Sequence, residues 1–304
     1  MIFREMPPVW DPAFRPQFYA RWGRESAIVS ATTRRVSYGD YRQLLSIKAA
    51  FGGSEDYFVD GRRITVDDDT FLILNNDRIY GSRVESQWPI HSFSIFFERG
   101  LIDRVWESMQ GPGAALLEQS PGAPHAIIEF AERLHPHDHC VTPVLNHIRA
   151  SVDSGVNDPV WLEEQLMFLL SRMLKLHYNR LAFEASIPSA KAATRHELMR
   201  RLGLAVNFIH SNYRRPLELG DMARAAHLSP FHFLRTFKSV HGMSPSDFLN
   251  RKRTRAAARL IENTSWTMEA VAAYVGFGSR TTLFRHLREA NLRPVGQSAG
   301  ARSI

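Results

Sequence analysis

The chain has 304 residues, 44% of them hydrophobic, and a formal net charge of +7. That length points to two domains with a sizeable core. No run of about eighteen apolar residues occurs, which argues against a membrane-spanning helix. The opening MIFREMPPVW lacks the basic-then-apolar pattern of a secretory leader, and a single cysteine, Cys140, rules out an internal disulfide and fits a reducing cytoplasm.

The first two dozen residues are rich in Pro, Trp and Arg, have no clear period, and read as an arm on the surface. From Ala27 the chain turns strand-like, in AIVSAT, YFVDGRRITV, TFLILNNDRIYGSRVE and WPIHSFSIFFE. Asp60-Gly61 is a hairpin signal, because a two-residue turn of that type needs positive φ. Asn75-Asn76-Asp77 marks another turn. Short strands at close spacing predict an antiparallel sandwich or small barrel. After Glu98 the pattern becomes helical. Leu101, Ile102, Val105, Trp106 and Met109 form one apolar face, which Gly111-Pro112-Gly113 is expected to break. Short helices are expected over 127–134 and 141–152, the latter with Val144, Leu145 and Ile148 inward. The longest, from Trp161 to Phe183, carries a continuous stripe of Leu162, Leu166, Leu169, Leu170, Met173 and Leu174. Such a stripe fits either of two roles, covering the strands or pairing two subunits.

ASIPSAKAAT, residues 185–194, is small and polar and contains Pro188, so it reads as a linker. The domain plan is therefore 1–186, a linker over 187–194, and 195–304. Charge divides near the same place. From Lys191 to the end there are 19 Lys and Arg against 7 Asp and Glu, a net +12, whereas residues 1–190 carry −5. A basic half beside an acidic one suggests that the C-terminal part meets a polyanion.

That part begins with a helix marked by Leu198, Leu202, Ala205 and Ile209. From Leu219 to Lys238 the pattern is a short helix, a tight turn and a second helix. Leu219, Met222, Ala223 and Ala226 make an apolar stripe that stops at His227-Leu228. Ser229 stands where a new helix needs a cap, and Pro230 follows where its missing N–H costs nothing. Phe233, Thr236, Phe237 and Val240 then face one way, and Phe231, Leu234, Arg235 and Lys238 the other. About fifty positions later the pattern returns from Thr267 to Arg288. Val271-Ala272 echoes Met222-Ala223, and Arg285-His286-Leu287-Arg288 echoes Arg235-Thr236-Phe237-Lys238. Between them Ser244-Pro245-Ser246-Asp247 is a capping box that opens a helix to about Ile261. Leu249, Arg253, Ala257 and Leu260 share one face of it, and Arg251, Lys252, Arg255 and Arg259 lie on the other. Arg253 on the packed face should be structural and ion-paired, because a lone buried charge is costly.

These residues resemble the DNA-binding domain of the AraC/XylS family of bacterial transcription regulators. The resemblance rests on Leu228-Ser229, Arg235 to Lys238, Gly242-Met243-Ser244-Pro245, Arg253 with Ala257 and Leu260, Val275-Gly276-Phe277, and Arg285, and it covers roughly the last third of the chain. It implies an α+β protein. An N-terminal antiparallel, cupin-like barrel or sandwich with helices would sense a ligand and dimerise, and an all-α domain of two helix-turn-helix units joined by a linker helix would bind DNA. The partners implied are double-stranded promoter DNA, RNA polymerase, a second copy of the chain and a small-molecule effector, with no cofactor and no membrane. The protein would act as a cytoplasmic activator or repressor, not an enzyme. The DNA-facing residues implied are Ser229, Phe231, His232, Leu234, Arg235 and Lys238 in the first unit and Ser279, Arg280, Thr281, Thr282, Phe284, Arg285 and Arg288 in the second. In each, arginine forks suit base edges or phosphates and apolar tips suit thymine methyls. The two reading helices would then lie roughly 34 Å apart and enter successive major grooves.

The sequence departs from that pattern in four places. The stretch from Leu287 to Pro294 is one residue shorter than Phe237 to Pro245. Asn291 stands near a usual glycine, though it tolerates the left-handed conformation. Val295-Gly296-Gln297 replaces the usual Tyr-Arg, and Thr254 replaces a larger apolar residue. A different reading makes the N-terminal barrel a small-molecule-binding or metal-dependent catalytic domain with a DNA-binding tail. His135, His137, His139 and Cys140 are zinc-binding groups by chemistry. Adjacent residues in an extended segment point to alternating sides, however, and no second cluster completes a site. In the strand region only His91 offers an imidazole. No metal and no catalytic residue is therefore expected.

Overall fold

The computed structural model describes residues 1–114, 128–186 and 192–292. The chain divides into two compact units, Met1–Glu197 and Leu198–Ile304.

The first unit is built on an eight-stranded sheet. In chain order it contains β1 (Ile2–Phe3), α1 (Arg15–Arg21), β2 (Ala27–Arg42), β3 (Ser46–Phe51), β4 (Ser54–Val59), β5 (Arg62–Asp67), β6 (Thr70–Leu74) and β7 (Ile79–Phe96), then α2 (Leu101–Ala114), β8 (Leu134–Pro136), α3 (Thr142–Asp153) and α4 (Pro159–Ser186). β7 organises the rest. One of its edges pairs with β2 along most of its length. The other pairs with β4 over Tyr80–Arg83 and with β3 over His91–Phe96, all antiparallel. The sheet thus divides around β7 into two wings, and both line one core of Val36, Tyr57, Val59, Ile64, Val66, Leu72, Tyr80 and Val84. The opposite face of β3 and β7, with Ile47, Ala49, Phe93 and Ile95, packs on the helices and forms the larger core. This is the two-residue alternation of strands covered on both faces.

Several sequence expectations hold here. Val59 and Arg62 pair across Asp60-Gly61, whose φ values of 50° and 70° make the expected turn. Asp77, at φ 60°, turns β6 into β7. Val144, Leu145 and Ile148 are buried on α3. The α4 stripe from Leu166 to Leu174 is buried in a core shared with β3, β7, α2 and α3.

Others are corrected. The two runs 70–85 and 88–98 are not separate strands from Ile79 onward. They are one 18-residue strand, because β7 pairs with β2 on both sides of an irregularity at residues 86–89 that holds Trp88-Pro89. β3 was not anticipated, since burial on both faces erases its alternation. α2 does not break at Gly111-Pro112-Gly113 but runs to Ala114; a proline this close to a helix end removes only one backbone bond. Residues 128–133 are not helical. They lead into β8, which pairs with β6; residue 127 lies outside the described residues. Among the described residues no helix is long and apolar enough to cross a membrane.

In the second unit the elements are α5 (Ala192–Asn212, which begins in the first unit), α6 (Leu219–Ala225), α7 (Pro230–His241), α8 (Pro245–Asn263), α9 (Met268–Val275) and α10 (Arg280–Glu289). Leu202, Ala205 and Ile209 of α5 are buried, as are the apolar faces of α6 to α10. Of the expected linker, residues 187–191 lie outside the described residues and 192–194 open α5.

Candidate nucleic-acid interface

In the first helix-turn-helix unit, Asp221 in the first turn of α6 accepts the Glu218 N–H at 3.0 Å, and that bond, first among several effects, holds its carboxyl below the usual range. Met222, Ala223 and Ala226 are buried. The helix ends as His227 takes φ 52° and Leu228 N–H reaches back to the Ala223 carbonyl at 3.0 Å, a Schellman closure. Arg201 of α5 donates to the His227 carbonyl. Ser229 caps α7 by accepting the His232 N–H, and Pro230 occupies the first turn. Phe233 and Phe237 are fully buried. The outer face presents Phe231, 77% exposed, with His232, Leu234, Arg235 and Lys238.

α8 joins the units. Gly242, at φ 69°, ends α7, and Ser244 caps α8 by accepting the Asp247 N–H. Arg253 is buried, but its partners are not carboxylates. Nε donates to the Tyr213 carbonyl and Nη2 to the Arg215 carbonyl, each at 2.8 Å, and the guanidinium lies 5.9 Å from the Phe277 ring. The expected ion pair is replaced by main-chain acceptors, which a guanidinium fork can bridge without a second buried charge. Burial alone pushes its pKa down. Lys252 is also buried, with its ammonium over the Tyr213 ring, so the basic side of α8 is narrower than its sequence suggests. Thr254 fits its buried position because its hydroxyl donates to the Asn250 carbonyl at 2.7 Å.

The second unit repeats the first with one added residue, Gly278, in the turn. Thr267 caps α9. Val271, Ala272 and Val275 are buried, and Phe277 N–H returns to the Ala272 carbonyl at 2.8 Å, as Leu228 does to Ala223. Gly276 takes φ 90°; a Cβ there would sit 2.6 Å from the Arg214 carbonyl oxygen and 3.0 Å from Arg253 Nη2. Phe277 is buried and stacks on His286 of α10. Ser279 caps α10 by accepting the Thr282 N–H at 3.2 Å. Leu283 and Leu287 pack inward. Asn291 takes φ 54° and Leu292 N–H bonds the Leu287 carbonyl, so the missing glycine leaves the closure intact. Pro294 and Val295-Gly296-Gln297 lie outside the described residues.

Every residue singled out on α7 lies on its exposed face. On α10, Arg280, Thr281, Arg285 and Arg288 are exposed, while Thr282 and Phe284 are half-buried. Thr282 is drawn into the cap with Ser279, and Phe284 lies beneath the Arg280 guanidinium at 5.5 Å. Arg280 also pairs with Glu269 at 2.9 Å. Among the described residues, Arg235, Lys238, Arg285 and Arg288 have no carboxylate within ion-pair distance. Sequence reasoning did not identify Glu269 as a restraint on Arg280, because the two are eleven positions apart on different helices.

The groups weighed for catalysis or metal binding have other partners. His135 is buried on Phe71 and bonds the Ala131 carbonyl, and burial, aided by Arg133, drives its pKa down to about 3. His137 meets the Thr142 hydroxyl, and Cys140 points at the Arg172 carbonyl. Ser30, His91 and Asp153 do converge. The serine sits between the other two, 2.9 Å from His91 Nε2 and donating to Asp153 at 2.6 Å. A nucleophile would need the histidine in the middle. This arrangement instead ties α3 to β2 and β7. Among the described residues no three metal-ligating side chains converge.

A helix-turn-helix domain model matches residues 222–295. The HTH-type transcriptional regulator Rv1931c of Mycobacterium tuberculosis is 40% identical over 80 residues, which cover 26% of this chain and 29% of that protein. Regulatory protein PocR of Salmonella typhimurium is 31% identical over 80 residues, 26% of each. The chain thus spans under a third of the length of these two relatives. Among solved structures, the DNA-binding domain of AdpA in complex with a target DNA is 28% identical over 32% of this chain and 85% of that one, at a TM-score of 0.29. ToxT from Vibrio cholerae, with an unsaturated fatty acid bound, is 11% identical over 88% of this chain and 93% of its own, at a TM-score of 0.35.

Proposed function

We propose that the chain is a sequence-specific transcription regulator of the AraC/XylS type that binds promoter DNA through α7 and α10, a reading that starts from the helix-turn-helix match over residues 222–295. The observation that carries this reading is the repeat itself. Two serine-capped helices each turn a buried aromatic or leucine pair inward and arginine outward, on either side of α8. The outward cations Arg235, Lys238, Arg285 and Arg288 are uncommitted to carboxylates among the described residues, which suits phosphate and base-edge contact. In this reading Arg235 and Arg285 read bases. Lys238 and Arg288 hold phosphates, and so does Arg280 once it leaves Glu269. Phe231 and Leu234 meet thymine methyls, and the Ser229 and Ser279 caps aim their helix N-termini at the backbone. His232, Thr281 and Thr282 border the same faces, with Phe284 supporting Arg280.

The N-terminal domain is the sensor, and a ligand there shifts the population of DNA-competent chains. A second copy of the chain and RNA polymerase are the partners such a regulator needs. The exposed Val160, Phe168, Leu181 and Phe183 of α4 support pairing. The protein works in the cytoplasm, where Cys140 stays reduced.

The test is selection of bound sequences from random duplex DNA by the full chain, repeated with Arg235→Ala and Arg285→Ala. The expected result is two short motifs about one helical turn apart, each erased by one substitution. Salt-sensitive binding without sequence preference in all three proteins would overturn the reading.

A further inference from the structure

We infer that the interior of the N-terminal sheet binds a small monocarboxylate through Lys48. This deepens the sensor reading and rests on it. On β3, Ile47 and Ala49 face the helices, so alternation sends Lys48 the other way, into a cavity of about 80 Å³ between the wings. Lys48 is 2% exposed. Its Nζ lies 3.4 Å from the Phe96 ring centre and 5.5 Å from that of Tyr80. An ammonium carries three donors. Among the described residues Lys48 makes no hydrogen bond within 3.5 Å and no ion pair within 4.0 Å. Ring faces compensate a buried cation only in part.

Three polar groups of the lining bond elsewhere. Glu55, also buried in the cavity wall, accepts the Ser92 hydroxyl at 2.7 Å. The Tyr80 hydroxyl pairs with Ser46, and that of Tyr38 donates to the Pro7 carbonyl. What the cavity lacks is an acceptor at Lys48. Burial pushes the Lys48 ammonium well below the usual lysine range, and Glu55 opposes this from a distance; a carboxylate seated on it would act in the same sense.

Charge and size narrow the class. Lys48 faces the interior beside the Glu55 carboxylate, and Arg42 stands at the exposed rim. Lys48 and Glu55 balance each other and Arg42 at the rim adds one positive charge, so a monoanion brings the lining to neutral and a dianion would leave it negative. The rings around the ammonium are Phe96, Tyr80 and Tyr57, and Trp22 and Val29 add to the lining, so the body meets mostly apolar surface. A cavity of this volume holds roughly five to eight water-sized positions, which limits the body to a short chain or one ring.

The experiment is calorimetric titration of the full chain, without DNA, by butyrate and benzoate and by their neutral amides, butyramide and benzamide. At least one acid should bind, and its amide at least tenfold more weakly. Lys48→Met should remove that preference, and Lys48→Gln, which keeps a donor, should retain part of it. A melting curve confirms that each variant folds; Lys48→Met removes a buried charge and should not lower the midpoint. Equal binding of acid and amide, unchanged acid binding by Lys48→Met, or no binding of either acid would overturn the proposal. Because no DNA is present, these outcomes are independent of the DNA selection that tests the regulator reading.

Discussion

In the first unit the turn between the two helices rests on His227, a non-glycine residue held at φ 52° on the surface. In the second it rests on Gly276, at φ 90° and pressed against the Arg214 carbonyl. Both turns lean on the same helix and its exit. Arg201 of α5 holds the first through the His227 carbonyl, and the loop after α5 holds the second through Arg214, with Arg253 reaching Tyr213 and Arg215 in that loop. One repeat is therefore pinned by a single side-chain bond and the other is locked by close backbone packing. The reading faces differ in the same spirit. Arginine is common to both, but the first carries Phe231 and Leu234 where the second carries Thr281 and a half-buried Phe284. Units that share a backbone plan can thus differ in how firmly they are held and in which bases they prefer.

The sharpest way to break this comparison is to put the same substitution into both glycine ends. Gly276→Ala meets strained φ and a backbone oxygen that cannot move away, and should cost about 3–5 kcal/mol. Gly242→Ala meets strained φ alone, with open space around the Cβ, and should cost about 1–2 kcal/mol. Denaturant unfolding of the two proteins measures the difference; equal costs would mean that the second turn is not locked. Next comes Arg253→Met, which strands two buried carbonyls and should cost about 3 kcal/mol. Arg253→Lys should recover only part of this in the same assay, because a lysine cannot span both acceptors.

Arg235→Ala and Arg285→Ala should each lower affinity for the selected operator by about 1–3 kcal/mol while leaving the melting midpoint in place. Fluorescence anisotropy on operator variants separates the roles. Loss confined to one half-site marks a base contact, and uniform loss marks a phosphate contact. His227→Gly should stabilise the domain by about 1 kcal/mol, since glycine adopts φ 52° without penalty, and it would erase the asymmetry from the other side. The smallest effect is expected for Glu269→Ala. Its ion pair with Arg280 is exposed, so stability should hardly change. The released arginine should instead steepen the salt dependence of DNA binding.

Much of the second unit was legible in the sequence because each of its signals is local. Ser229 and Ser244 cap helices where the pattern places them. The inward Phe233, Phe237, Leu283 and Leu287 follow from helical period, and the duplication makes each half a check on the other. What escaped was contact between distant positions. Arg253 was legible as buried but not as bound to Tyr213 and Arg215, and nothing near Arg280 announces Glu269. The sheet was legible in part. The Asp60-Gly61 hairpin declares itself through its turn chemistry. β3 does not, because Ser46-Ile47-Lys48-Ala49-Ala50 is covered on both faces and carries a charge inward, which reads as neither an amphipathic nor an apolar strand. Lys48 was missed for the same reason.

The central claim is that α7 and α10 read one duplex together, held at fixed separation by α8 and the Arg253 clamp. The most direct measurement is affinity of the full chain for its selected operator with one to five base pairs inserted between the two half-sites. A clamped pair should lose affinity from the first inserted pair and fall to the level of a single half-site by five, where the second groove has rotated to the far side. Affinity that ignores spacing would contradict the account and leave the two units as independent or unequal readers.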